Sequence, residues 1–110
     1  MGYYTYFNFC VQDFETLEYI DLKKQDEIFE ELNKKYEITD VDDRDFTAHW
    51  YDIDENMKEF SKKYPEYLFK IYGEGEDGSL DTYIKYFHNG KMQFCQGSLV
   101  YDEINKDVLK

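Results

Sequence analysis

Residues 49–95 read HWYDIDENMKEFSKKYPEYLFKIYGEGEDGSLDTYIKYFHNGKMQFC, and this stretch decides the fold. Alternating Phe46, Ala48 and Trp50 predict a strand over 46–51, with Thr47, His49 and Tyr51 on its opposite face. Asp52, followed three residues later by Glu55, has capping-box spacing and opens a helix. Met57, Phe60 and Tyr64 give that helix its apolar stripe, and Pro65 ends it. A third strand follows over 67–72, and the strand–helix–strand order predicts a crossover between parallel strands. A Gly-rich acidic turn over 73–79 leads to a fourth strand over 80–87. Asn89-Gly90 is a two-residue hairpin signal, because both residues accept positive φ, and it delivers a fifth strand over 91–96.

Outward from this stretch, residues 3–11 alternate as a first strand. Tyr3, Thr5, Phe7, Phe9 and Val11 form the better core face, while Tyr4, Tyr6, Asn8 and Cys10 share the other. Residues 12–20 fit either a strand extension or a helical turn. Asp21 is placed to cap a helix over 22–36, whose apolar stripe is Leu22, Ile28, Phe29, Leu32 and Tyr36, best at the 28/29/32/36 spacing. The tail over 97–110 is weakly patterned and is expected to add a short edge strand or to fray. The expected architecture is therefore one α+β domain over 1–110, ferredoxin-like. It has a mixed, mainly antiparallel sheet of about five strands in the order β-α-β-α-β-β-β, with two helices on one face. The second face stays open unless the tail or a partner covers it.

Aromatics are 20% of the 110 residues, enough to build a real core despite a net charge of −12. The charge is lopsided. Residues 13–55 carry sixteen Asp/Glu against five Lys/Arg, a net of −11, whereas residues 56–110 net only −1. Such a half repels free nucleic acid and attracts positively charged protein surfaces. The start lacks a signal peptide's basic region, and no apolar run is long enough to span a membrane, so a cytoplasmic protein with reduced thiols is expected.

Several apparent motifs carry no chemistry. The acids from Asp40 to Asp45 resemble half a calcium loop, but Asp45 and Tyr51 stand where Gly and Glu are required. That leaves only loose cation binding open. Gly73-Glu-Gly-Glu-Asp-Gly78 matches a dinucleotide fingerprint, yet a strand follows it instead of a helix, and its acids repel phosphate. His49 and His88 have no partner at metal spacing, and His88, before the Asn-Gly turn, reads as a solvated turn residue. No cofactor, no metal and no catalytic residue is expected, and the protein does not read as an enzyme.

Trp50-Tyr51, Met57-Lys-Glu-Phe60-Ser-Lys-Lys-Tyr64-Pro65, Leu68-Phe69, Gly73-Glu-Gly-Glu76 and Tyr86-Phe-His-Asn-Gly-Lys91-Met-Gln93 together resemble small bacteriophage and mobile-element proteins of the Api92/YubB-type ferredoxin-like domain. The resemblance covers residues 46–95. It implies a phage or prophage origin and transfers no reaction. By analogy, acidic phage proteins of this size include anti-defence inhibitors, among them anti-CRISPR proteins that imitate nucleic acid charge. The reading is thus a DNA-mimicking inhibitor of a host protein with a basic nucleic-acid-binding surface. Its partner-binding residues would be Asp26, Glu27, Glu30, Glu31, Glu37, Asp40, Asp42, Asp43 and Asp45, with Tyr4, Tyr6 and Tyr51 supplying aromatic contact. The alternative is a protein-interaction or assembly module that uses an open aromatic sheet face, as a homodimer or with another partner.

Overall fold

A computed structural model describes residues 5–41, 43–75, 82–96 and 106–109. The elements are β1 (Thr5–Asp13), α1 (Leu22–Tyr36), β2 (Asp45–Ala48), α2 (Ile53–Ser61), β3 (Tyr67–Gly75), β4 (Thr82–His88), β5 (Lys91–Gln96) and a short α3 (Lys106–Leu109). The strands form one sheet in the order β2-β1-β3-β4-β5. The fold is α+β, and every neighbouring pair of strands is antiparallel.

The expected mixed sheet is corrected by the position of β1. Strands β2 and β3 do run parallel to each other, but β1 lies between them and pairs antiparallel with both. The α2 crossover therefore spans a strand instead of joining neighbours. Nine residues long, β1 pairs along its whole length with β3 and over only four residues with β2.

The core follows the period-2 pattern. Phe7, Phe9 and Val11 of β1, Phe46 and Ala48 of β2, Phe69 and Ile71 of β3 and Phe87 of β4 face Ile28, Phe29 and Leu32 of α1 and Ile53, Met57 and Phe60 of α2. Both helices thus cover one face. On the other face, Leu109 of α3 is fully buried against Phe14 and Leu68. The described end of the tail is a helical turn covering that side, neither an edge strand nor frayed.

Local boundaries differ from expectation for physical reasons. Asp52 precedes α2, but its φ of −99° and ψ of 27° take its carboxylate away from the first amides, so no side-chain cap forms. Helix α2 ends at Ser61, where Lys62, Lys63 and Tyr64 make the shorter i to i−3 bonds. Tyr64 lies beyond the helix, yet still packs on Phe60 and Phe69. Gly73 and Gly75 belong to β3 and not to a turn. A Cβ on Gly73 would sit 2.3 Å from Tyr83 Cζ, so the tyrosine ring crosses the strand only because position 73 is bare. The remainder of the expected turn, at 76–79, lies outside the described residues, as do Tyr3 and residues 97–105.

Asn89 at φ 46° and Gly90 at φ 86° form the hairpin turn as expected. Ser61 Oγ accepts the Gly90 amide at 2.8 Å, tying this hairpin to the end of α2. His88 is not solvated. It is buried, stacks on Phe14 with centroids 3.6 Å apart, and its Nδ1 lies 3.0 Å from the Tyr67 carbonyl. The alternation of β4 sends it to the face opposite Phe87, where Phe14 covers it. Residues 13–20 double back, with Asp13 accepting from the amides of Glu15 and Thr16 and Gln12 bridging to Tyr19. No described helix is long and apolar enough to cross a membrane.

Candidate functional site: an acidic groove at the β2 edge

The predicted acids divide into two sets once the chain folds. Three of the helix carboxylates are matched by bases. Arg44 Nε lies 2.7 Å from Asp26, Lys34 lies 3.1 Å from Glu30, and Lys63 pairs with Glu31. Glu31 also accepts from the Tyr64 hydroxyl at 2.5 Å. Burial alone would raise the Glu31 carboxyl, but the bonds from Lys63 and Tyr64 outweigh it and hold it below the usual range.

Glu27, Glu37 and Asp40 are exposed and have no ionic partner among the described residues. Asp43 is exposed too, and its carboxylate accepts the Asp45 amide at 3.0 Å. Asp45 accepts from the Tyr6 hydroxyl at 2.9 Å and from the Asn8 amide. These partners of Asp45 are neutral, and no base pairs with it among the described residues. Burial, reinforced by this bond, pushes the Tyr6 hydroxyl up to about 12. Tyr51 is 77% exposed and stacks near His49, with centroids 6.0 Å apart. Tyr4 and Asp42 lie outside the described residues.

Local chemistry places these groups. Glu37 ends α1 in the left-handed region at φ 51°, and its amide bonds the Asn33 carbonyl. The Asn33 side chain then holds the following turn. Its Oδ1 accepts from the amides of Ile38 and Thr39, and its Nδ2 donates to the Thr39 carbonyl, all at 2.9 Å. Residues 37–41 are thereby pinned beside β2, the edge strand. Between them lie two adjoining open hollows of about 470 and 350 Å³. The first is lined by Glu37, Asp40, Val41 and His49, the second by Tyr6, Asp45 and Phe46, and both by Thr39, Val41 and Thr47.

A further group went unread in the sequence. Gln25 is 1% exposed and inside α1. Its Oε1 accepts the Val11 amide at 2.9 Å and its Nε2 donates to the Ile20 carbonyl at 2.8 Å. Arg44 joins it, donating to the Phe9 carbonyl and to Gln25. Together they satisfy the edge of β1 where β2 does not reach. The signal was a polar residue among the apolar positions of a helix stripe, three residues before Ile28.

Cys10 and Cys95 are free thiols. Burial pushes the Cys10 thiol up. Among the described residues no cluster of His, Cys, Asp or Glu could hold a metal. In comparison with known proteins, the chain matches no family model, no curated protein and no solved structure.

Proposed function

We propose that the protein is a non-enzymatic, phage-encoded inhibitor that occupies the basic nucleic-acid-binding surface of a host protein in the bacterial cytoplasm. In this reading the fold is a ferredoxin-like variant, and its carboxylates imitate phosphates. The observation that carries it is the run of exposed acid at the β2 edge, Glu37, Asp40 and Asp43, none of which meets a base among the described residues, with Glu27 exposed and likewise unmatched on α1. The five Lys/Arg of residues 13–55 are too few to balance the sixteen acids there. A surface of this kind finds a cationic partner quickly and holds it in a salt-dependent way. Capture of host proteins on the immobilised chain should enrich nucleic-acid-binding proteins. Their nucleic acid should compete for the same site, and affinity should fall steeply with salt. Binding that is flat between low and high salt, or unchanged after Glu37→Lys with Asp40→Lys, would sink the proposal.

A second reading is self-association through the uncovered part of the second sheet face. Tyr6 and Tyr72 favour it, meeting edge to face there with centroids 6.2 Å apart. Light scattering separates the two, since a dimer that dissociates on Tyr6→Ala supports the assembly reading.

A further inference from the structure

We propose that the groove at the β2 edge binds an extended, Arg- or Lys-bearing segment of the partner as an added strand. This deepens the acidic-surface reading and rests on it.

In an antiparallel pair, the residues whose backbone groups bond the neighbouring strand alternate with residues whose groups point away from it. The Phe9 amide bonds the Arg44 carbonyl at 2.9 Å, and Phe7 lies opposite Phe46 and Thr5 opposite Ala48. The backbone groups of residues 44, 46 and 48 therefore point at β1, and those of Asp45 and Thr47 point outward. The Asp45 amide is taken by the Asp43 carboxylate. The amide and carbonyl of Thr47 have no partner among the described residues, and Thr47 is exposed. They form the open rung of an edge strand.

Edge strands invite a partner's backbone unless charge, proline or a covering loop prevents it. Here the charge selects instead of forbidding. The two hollows adjoin at Thr47, and each holds at least one carboxylate, Glu37 and Asp40 in the first and Asp45 in the second. Strand addition draws affinity from main-chain bonds and specificity from pockets that take alternate side chains. Residues two apart on an added strand project to one side roughly 7 Å apart. One cationic head would meet Glu37 and Asp40. A second residue would lay its stem on Val41, Phe46 and Tyr6 and bring its charge to Asp45.

The test uses a short synthetic peptide alternating Arg with Val, and a copy N-methylated on alternate amides that keeps every charge but cannot form a ladder. The parent peptide should bind and protect the Thr47 amide from hydrogen exchange. N-methylation should weaken binding by about tenfold or more, the loss of two backbone bonds. Thr47→Pro in the protein removes the complementary donor, the Thr47 amide, where an edge strand tolerates proline, and should give a similar loss, whereas Thr47→Val should bind normally. Retained dispersion of the β4 and β5 amides would establish that Thr47→Pro is folded. Equal affinity for both peptides, with Thr47→Pro unchanged, overturns strand addition and leaves the acidic surface standing. Failure of both peptides, while the full-length chain still captures basic host proteins, likewise overturns only strand addition. Failure of peptides and capture together overturns both.

Discussion

Gln25 shows how one side chain can stand in for a strand. Beyond Asp45 the edge of β1 has no β2 beside it, and the Val11 amide would be buried and unpaired. Gln25 supplies the acceptor from within a helix, spending a stripe position on a polar group that is 1% exposed. Replacing it with Leu keeps the volume and the helix propensity but orphans that amide and the Ile20 carbonyl. We expect a loss of about 1–3 kcal/mol in urea denaturation, in spite of the added apolar surface. A neutral or stabilising result would mean that water reaches the Val11 amide. Legibility at this scale followed the range of the bond. The Asp21 cap, accepting the Lys24 amide three residues on, was readable because its partner is local. The same logic failed at Asp52, where the backbone turns the carboxylate away from the first amides of α2. His88 was misread because its stacking partner, Phe14, is far away in the chain.

Among the elements, periodicity was the dependable guide and strand adjacency was not. Most inward residues of β1, β2, α1 and α2 were readable, since burying one face leaves a period that no other arrangement explains. Leu22, also given to the α1 stripe, is exposed, and Ile53 of α2 is buried without having been read. That β1 lies between β2 and β3 was not readable, because nothing in a strand's own alternation says which neighbours it takes. The groove was half legible. Its acids stood out as a charge run, but its walls depend on Asn33 reaching over the end of α1 to residues 38 and 39. Gly73 makes the element-scale prediction. The ring of Tyr83 lies across it, opposite in register, and packs at its other side on Phe94 at 5.8 Å. Gly73→Ala should cost roughly 1–3 kcal/mol through this clash, although alanine is no worse than glycine for an isolated strand. Adding Tyr83→Ala should restore part of that loss in a double-mutant cycle. Strict additivity would place the strain elsewhere.

For the whole molecule, three tyrosine–carboxylate bonds fasten separate elements. Tyr36 donates to Glu59 and Tyr64 to Glu31, both between α1 and the α2 region, while Tyr6 donates to Asp45 between β1 and β2. Burial, with the carboxylate behind it, pushes each of these hydroxyls up to about 12. The bond from Tyr36 and the charge of Lys35 hold Glu59 below the usual range, as Lys63 and Tyr64 do Glu31. The two shifts act at opposite ends of the pH scale. A tyrosine whose pKa is raised by folding stabilises the fold below about pH 10, and that contribution disappears as pH climbs from about 10 to 12. A carboxylate whose pKa is lowered stabilises above the ordinary glutamate range and loses its effect as pH falls below it. The denaturation midpoint should therefore hold across neutral pH and drop on both sides. The net charge of −12 offers a competing cause on the alkaline side, through self-repulsion that grows as tyrosines ionise anywhere. Tyr36→Phe with Tyr64→Phe separates the two. Removing the linked hydroxyls should flatten the fall between pH 10 and 12 at the expense of stability at pH 7. A fall as steep as the parent's would assign alkaline unfolding to the overall charge, and high salt would then restore it.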